Sequence, residues 1–180
     1  MLLARQAEEL TATTAAASGG GESGGGELRG ERDALAQDEF VPWYQPKVHA
    51  GTGRPLAVEA LARWPGSMPG AGMVGPGHFV PAIENAGLAD DLFYSMARQV
   101  IADMSLWHAQ GLEIQAAINL SMDTALNLDM PETLNQLVLA SGLQARDFII
   151  EVTESRLMVH RSLAMESLTR LSLMGFTLSI

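Results

Sequence analysis

Residues 55–64 read PLAVEALARW, and this stretch decides the fold. Apolar residues dominate the run, and Glu59 lies within it, which is typical of a strand that leads towards a functional loop. We predict a strand over residues 55–62. A turn at residues 50–53 precedes it, and an aromatic and β-branched run at residues 40–48 precedes the turn. The folded part of the chain is therefore expected to begin with two strands joined by a short turn.

Strand and helix patterns alternate regularly beyond this strand. The spacing of apolar residues, with glycines at the helix ends, predicts helices near residues 78–86, 88–110, 131–141 and 163–174. Apolar runs predict strands at residues 114–120, 148–152 and 176–180. Such alternation indicates right-handed β-α-β units and a parallel sheet, in either an eight-stranded barrel or an open doubly wound sheet. No Gly-x-Gly-x-x-Gly follows a strand, so the sequence does not support a dinucleotide-binding sheet.

The N-terminal segment has a different composition. Residues 11–30 consist mostly of Gly, Ala, Ser, Thr and Glu, which cannot bury enough apolar surface to offset the entropy of ordering. We therefore expect residues 1–39 to be a flexible linker with a short helix near residues 31–39. The folded domain is expected to occupy residues 40–180. Such a segment is expected either to join an upstream domain, such as a sensor or receiver, or to be an idle tail.

Composition excludes several classes of protein. The chain has 180 residues, no cysteine and a formal net charge of -10, and Lys47 is its single lysine. Disulfide frameworks and thiolate metal sites are therefore excluded, and a reducing cytoplasmic location is expected. Because no cluster of Lys and Arg occurs, we expect no binding to long nucleic acids. The sequence has no apolar run of the roughly 18 residues needed for a membrane span.

Three predicted strands carry an oxygen donor at or near their carboxyl ends. These residues are Glu59, Asn119 and Glu151. In a parallel barrel the carboxyl ends of the strands form one face, so neighbouring strands bring such side chains together. Two carboxylates and an amide oxygen are hard ligands that suit Mg²⁺ or Mn²⁺. Taken singly, each residue could instead be a hydrogen-bonding group at the start of a loop.

Five motifs occur in an order that matches a known family. Residues 44–48 read YQPKV and residues 59–64 read EALARW. Residues 79–88 read FVPAIENAGL, residues 118–121 read INLS and residues 151–154 read EVTE. A bare Glu-Ala-Leu has no value as evidence, but five linked motifs are specific. The sequence from residue 40 onward resembles the EAL domains of bacterial cyclic di-GMP signalling.

The resemblance implies a (β/α)8 TIM-barrel variant of which this chain holds about the first five strands. It also implies hydrolysis of one phosphodiester bond of cyclic di-GMP to give the linear dinucleotide. The family residues that match Glu59, Asn119 and Glu151 hold Mg²⁺ or Mn²⁺ and serve catalysis. This set agrees with the three residues selected from the strand ends.

The resemblance implies further site residues. Gln45 and Arg63 match positions that contact the phosphates of the ligand, and Leu61 matches a substrate-binding position. Glu154 matches a carboxylate that supports a neighbouring loop and does not itself bind metal. Simpler roles are open for these residues. Gln45 could simply form hydrogen bonds at the end of its strand. Arg63 could lie on the Trp64 ring, and Glu154 could cap the following helix.

The sequence departs from the family after the predicted fifth strand. An Asp-Asp-Phe-Gly-type motif follows that strand in the family and completes the metal site, but it does not occur within these 180 residues. A (β/α)8 barrel typically needs about 250 residues. We therefore expect the 180-residue chain to be inactive by itself. We also expect its open sheet edge to favour association, with a homodimer as one form.

Two other interpretations remain open. The domain could be an inactive EAL-derived module that binds cyclic di-GMP or a protein partner. It could also be half of a barrel from an unrelated metal enzyme. The second alternative predicts that substitution of Asn119 leaves metal affinity unchanged.

Overall fold

The computed structural model of the chain describes residues 24–65, 72–152 and 161–179. The strands are β1 (Val41–Val48), β2 (Pro55–Arg63), β3 (Gln115–Leu120), β4 (Phe148–Val152) and β5 (Thr177–Ser179). The helices are α1 (Gly24–Ala36), α2 (Pro76–Asn85), α3 (Ala89–Ala109), α4 (Met122–Ala125), α5 (Met130–Ala140) and α6 (Arg161–Met174). A 3₁₀ helix, Ala145–Asp147, leads directly into β4.

The strands form one sheet in the order β1-β2-β3-β4-β5. β1 and β2 are antiparallel, whereas the pairs β2–β3, β3–β4 and β4–β5 are parallel. The predicted α/β class and the parallel sheet beyond the second strand are confirmed. An order that follows the chain without reversal is that of a barrel, because a doubly wound sheet reverses direction at its switch point. The open-sheet alternative is therefore excluded for the described strands.

Alternate residues of the strands face the helices and form the main core. Alternation follows from the two-residue period of a strand. Large side chains such as Phe148 and Ile150 are fully buried there, and each contributes about 1.5–3 kcal/mol through removal from water. The helix-facing residues of the three inner strands are Val58, Ala60, Ala116, Ile118, Leu120, Phe148, Ile150 and Val152. The residues between them, among them Glu59, Asn119 and Glu151, occupy the opposite face of the sheet.

A second apolar cluster joins α1 and α2 to α3. Its buried members are Ala34, Phe40, Phe79, Ile83 and Met96. The ring centroids of Phe40 and Phe79 are 4.8 Å apart, and those of Phe40 and Trp64 are 5.3 Å apart. Trp64 Nε1 also donates a hydrogen bond of 3.0 Å to Glu39 Oε2. These contacts hold the segment after α1, the end of β2 and α2 together.

The predicted start of the first helix needs correction. The first helix begins at Gly24 and not near residue 31, so residues 24–30 are helical where a linker was predicted. Once one turn is formed, each added residue gains a hydrogen bond, so a helix extends into sequence of low propensity. The rest of the predicted linker, residues 1–23, lies outside the described residues.

Two short elements were not predicted. α4 has only four residues, which is too short to show a helical repeat, although Ser121 Oγ accepts the Thr124 N–H as its N-cap. The 3₁₀ helix before β4 was missed for the same reason. The predicted end of the long helix α3 near Gly111 is confirmed, since Gly111 has φ +80°, a conformation that a side chain disfavours. No helix among the described residues is both long enough and apolar enough to cross a membrane.

Candidate metal centre

Glu59, Asn119 and Glu151 lie together on one face of the sheet. Asn119 and Glu151 are register partners on the parallel strands β3 and β4. Glu59 belongs to the neighbouring strand β2, and Asn119 Nδ2 donates a hydrogen bond of 3.3 Å to Glu59 Oε1. Each of the three residues is partly buried. The pleat of three consecutive strands therefore brings the predicted side chains into one group.

Lys47 connects the two carboxylates of this group. Its Nζ atom donates a hydrogen bond to Glu151 Oε1 and lies 3.7 Å from Glu59 Oε2. Lys47 lies on β1, two residues beyond Gln45, which is the register partner of Glu59. Residues two apart on a strand point to the same face, so Lys47 shares the face of Glu59. The curvature of the sheet lets its side chain reach from β1 to β4.

The donor set suits a hard divalent cation. Two carboxylates converge on one positively charged atom, and an amide side chain lies beside them. A point that already attracts an ammonium group also favours Mg²⁺ or Mn²⁺, which prefer oxygen donors. No group of three or more His, Asp and Glu side chains with metal-binding geometry occurs in residues 24–65, 72–152 and 161–179. The described site is therefore a set of two carboxylates and one amide.

Gln45 and Arg63 lie on the same side of the strand pair as Glu59. Gln45 is exposed and opposes Glu59 directly in the antiparallel register. Arg63 is the last residue of β2, four residues beyond Glu59. Its Nη1 donates a hydrogen bond of 2.9 Å to the Ala62 carbonyl oxygen. Partial burial lowers the pKa of the Arg63 guanidinium from its usual value, although the group stays charged at neutral pH.

Trp64 follows Arg63 and packs into the aromatic cluster. The Trp64 ring packs against Phe40 at 5.3 Å and against Phe79 at 6.4 Å between ring centroids. Arg63 is the last residue of β2, and its role at the site stays a prediction.

A largely apolar cavity of about 370 Å³ adjoins the candidate metal centre. It lies between the carboxyl ends of β2 and β3 and the helices α2 and α3. Leu61 and Ser121 line it together with Glu59 and Asn119, and the apolar wall includes Val80 from α2 and Phe93 from α3. Polar oxygens at one side and apolar groups at the other suit a ligand that has both a charged and a flat apolar part.

Tyr44 anchors β1 on the helix-facing side of the sheet. Its hydroxyl donates a hydrogen bond of 2.5 Å to Asp103 Oδ2 on α3, and its ring contacts Trp107 at 4.7 Å between centroids. Burial raises the pKa of the Tyr44 phenol, and the hydrogen bond to Asp103 and the charge of that residue raise it further. The neutral phenol therefore fixes the strand that carries Gln45 and Lys47.

The structure leaves one predicted site residue undescribed and adds another. Glu154 lies in residues 153–160, outside the described part of the chain. Lys47 was not selected from the sequence, although its position two residues from Gln45 places both on one strand face. This spacing predicts that Lys47 lies on the same face as Gln45. It does not predict the contact of Lys47 with Glu151, which is 104 residues away in the sequence.

Comparison with known proteins identifies the family. Residues 30–180 match the family model of the EAL domain. The chain is 33% identical over 150 residues to the bifunctional diguanylate cyclase/cyclic di-GMP phosphodiesterase MucR of Pseudomonas aeruginosa, over 83% of this chain and 22% of that protein. It is 30% identical over 146 residues to the cyclic di-GMP phosphodiesterase RocR of the same species, over 81% of this chain and 37% of the relative. The chain thus spans well under half the length of these curated relatives.

Solved structures show the same architecture. The PaMucR phosphodiesterase in complex with c-di-GMP matches with a TM-score of 0.77 and 33% identity, over 86% of this chain and 62% of that one. The EAL enzyme Bd1971, bound to cAMP and cyclic-di-GMP, matches with a TM-score of 0.76 at 24% identity over 85% of this chain and 42% of that one, which supports the fold alone. The predicted barrel variant is confirmed, and the described strands form part of such a barrel. The chain belongs to the EAL domain family.

Proposed function

We propose that this chain is part of a metal-dependent phosphodiesterase that hydrolyses cyclic di-GMP to the linear dinucleotide. One observation carries the proposal: Glu59, Asn119 and Glu151 meet on one face of three consecutive parallel strands, with Asn119 and Glu151 near the carboxyl ends of β3 and β4 and Glu59 in the middle of β2. The relatives MucR and RocR are named as cyclic di-GMP phosphodiesterases, which supports the same substrate here.

In this proposal Glu59, Asn119 and Glu151 hold Mg²⁺ or Mn²⁺. When bound, such ions lower the pKa of a coordinated water and neutralise charge on the phosphoryl oxygens. The two carboxylates provide the negative charge that attracts the cation, and the amide of Asn119 positions the Glu59 carboxylate through its hydrogen bond. This arrangement fits the group, because both carboxylates already face a shared cation in Lys47.

Arg63 and Gln45 are proposed to bind the phosphates of the ligand. A guanidinium can donate two parallel hydrogen bonds to a phosphate, and Arg63 lies four residues beyond Glu59 on the same face of β2. Gln45 opposes Glu59 and is exposed, so its amide is accessible to a ligand on that face. Leu61 is proposed to contact a base that enters the apolar cavity beside the metal centre.

The isolated 180-residue polypeptide is proposed to lack hydrolytic activity. The described site supplies two carboxylates and one amide, which suffice for one cation but leave a second without a full set of donors. The test is incubation of the purified polypeptide with cyclic di-GMP and Mn²⁺, followed by chromatography for the linear dinucleotide. We expect no product above the level of a Glu59→Gln control, and product well above that control would contradict this part of the proposal.

Binding without hydrolysis is the second candidate function. The observation in its favour is the apolar cavity, which adjoins Leu61 and Asn119 whether or not the donor set is complete. Calorimetry with cyclic di-GMP, with and without Mn²⁺, distinguishes the two functions. Heat of binding that is independent of metal and unaffected by Glu151→Gln would favour a binding module. Binding that requires Mn²⁺ would favour the phosphodiesterase.

The relatives extend well beyond the matched region, because the match covers 22% of MucR and 37% of RocR. This length supports the proposal that the EAL domain works with a sensor or receiver domain in the same polypeptide. A homodimer remains a further proposal, and sedimentation analysis at several protein concentrations tests it.

A further inference from the structure

Lys47 is the residue of the candidate metal centre that the proposed mechanism does not use. Its ammonium contacts the carboxylates of Glu59 and Glu151, which lie on two strands separated by β3. The side chain therefore extends from β1 across the face of the sheet that lies away from the helices. Lys47 is also the single lysine of the chain, so no other ammonium side chain can take this place.

We propose that Lys47 is an internal competitor of the divalent metal and sets the affinity of the site. The inference rests on the metal site proposed above. In metal-free protein the ammonium holds the two carboxylates together and balances much of their charge. Binding of a divalent cation then requires that Lys47 leaves the carboxylates, and the free energy of its contacts is subtracted from the free energy of metal binding.

The geometry decides the direction of this effect. Lys47 could aid metal binding by keeping the carboxylates close, or oppose it by its charge. The Glu59 carboxylate has another support, a hydrogen bond from Asn119, and the backbone of Glu151 is held by the pairing of β4 with β3 and β5. An ammonium and a dication on the same oxygens repel each other, and no contact of the site offsets this repulsion among the described residues. Competition therefore outweighs preorganisation.

The side chain of Lys47 has space to leave. It is 36% exposed, whereas the side chains of Glu59 and Glu151 are 24% and 19% exposed. A flexible four-carbon chain with this exposure can adopt another rotamer and place its ammonium in water. The more buried carboxylates stay in place and receive the metal.

The test is calorimetric titration of the full chain with Mn²⁺ at fixed ionic strength. Lys47→Met should bind Mn²⁺ about tenfold more tightly than the wild type, which corresponds to about 1.4 kcal/mol. Lys47→Arg keeps the charge and should stay within about twofold of the wild type. Arg54→Met is the matched control, because it removes one positive charge from an exposed residue in the turn before β2. It should also stay within about twofold of the wild type, which excludes a general effect of net charge.

A melting experiment gives a second measurement. In EDTA, Lys47→Met should melt at a lower temperature than the wild type, because two close carboxylates lose their shared partner. Saturating Mn²⁺ should raise its melting temperature by more than it raises that of the wild type. Should Lys47→Met not fold, Lys47→Gln carries the same test with the same criteria.

The outcomes separate this inference from the proposed function. Equal or weaker Mn²⁺ binding by Lys47→Met than by the wild type would overturn the role of Lys47 while leaving the metal site intact. Absence of Mn²⁺ binding in the wild type and in every variant would overturn the metal site and the inference with it. Tighter binding by Lys47→Met together with tighter binding by Arg54→Met would also overturn the inference, since the effect would then come from net charge.

Discussion

At the scale of single residues, the candidate site depends on the side-chain alternation of three strands. Asn119 lies 60 residues after Glu59 in the sequence, and Glu151 lies 32 residues after Asn119. All three nevertheless occupy the face of the sheet away from the helices. A shift of one residue in any strand would direct its donor into the apolar core. The three assignments are therefore linked, and a test of one residue bears on the others.

Loss of the Glu151 carboxylate should abolish most of the metal affinity. We expect Glu151→Gln to weaken Mn²⁺ binding by about a hundredfold or more, because even residues that only support a ligand typically change affinity by about 10–100-fold. Calorimetry measures the change. Glu113→Gln is the matched control, since Glu113 is exposed and precedes β3 at the opposite end of the strands. Equal losses in both variants would show that the effect is general charge and not a ligand role.

Tyr44 provides a pH-dependent contribution to stability. Burial and Asp103 raise the pKa of its phenol in the folded chain above the value of about 10 expected when unfolded. The folded state then retains a proton that the unfolded state releases, so the contribution is fully present below about pH 10 and declines as the pH rises above it. Urea unfolding between about pH 8 and pH 11 should show a steeper loss of stability in the wild type than in Tyr44→Phe.

The same substitution has a cost at neutral pH. Tyr44→Phe leaves Asp103 without the phenol and should lower the free energy of unfolding by about 1–3 kcal/mol. Burial also raises the pKa of Tyr94, so the pH slope of Tyr94→Phe shows how much of the alkaline loss of stability comes from this second tyrosine. Identical pH slopes for the wild type and Tyr44→Phe would contradict the assignment of the alkaline effect to Tyr44.

Residue-level prediction from sequence succeeds where the strand pattern alone decides and fails where barrel curvature decides. The grouping of Glu59, Asn119 and Glu151 follows from side-chain alternation on three neighbouring strands, although Glu59 lies in the middle of β2 and not at its end. The role of Lys47 does not, because β1 and β4 are separated by two strands and only a curved sheet lets one side chain reach from one to the other. The roles of Gln45, Leu61, Arg63 and Glu154 stay predictions.

At the scale of elements, α1 is part of the packed structure. Ala34 is 1% exposed and contributes to the cluster with Phe79 and Ile83, while Ala36 on the same helix is exposed. The EAL family match begins at residue 30, within this helix. We therefore propose that the domain includes α1, in place of a boundary at residue 40.

A charge at Ala34 should release α1 from the domain. We expect Ala34→Glu to lower the free energy of unfolding by about 2 kcal/mol or more, because a carboxylate would replace a buried methyl group. Ala36→Glu, the control on the exposed side of the same helix, should change it by less than about 0.5 kcal/mol. Urea unfolding gives the energies, and faster hydrogen exchange in residues 31–36 of Ala34→Glu would locate the change. Equal stability of the two variants would contradict docking of α1.

Element prediction was accurate where length and period were clear. The strand at residues 148–152 has the predicted bounds, and the long helix α3 lies within the predicted stretch. The antiparallel start of the sheet follows from the short turn between β1 and β2. The four-residue helix α4 could not be predicted, because so short a helix shows no apolar repeat. The early start of α1 could not be predicted either, because a helix that has already formed extends into residues of low helix propensity.

At the scale of the whole molecule, charge limits the range of ligands. The formal net charge is -10, and the only lysine is engaged by two carboxylates. The net negative charge disfavours a long nucleic acid, whereas the proposed function needs only a local cation and Arg63 to hold a small phosphodiester.

This distribution predicts that long nucleic acids do not bind. A gel-shift assay with a 30-base-pair duplex at about 50 mM salt should show no retardation at micromolar protein, with or without Mg²⁺. The same protein should respond to Mn²⁺ in calorimetry, which shows that the sample is folded. Retardation that weakens steeply with added salt would contradict the prediction.

Glu59, Asn119 and Glu151 are proposed to bind one divalent cation on the face of β2, β3 and β4 that lies away from the helices. The most direct measurement is a crystal structure of the chain grown with Mn²⁺, with anomalous scattering recorded to locate the ion. We predict an anomalous peak within about 2.5 Å of oxygen atoms from all three residues, with the Lys47 ammonium moved away from both carboxylates. An Mn²⁺ peak that contacts none of the three residues, or oxygens of Glu59 and Glu151 still bound to Lys47 at saturating Mn²⁺, would contradict the account.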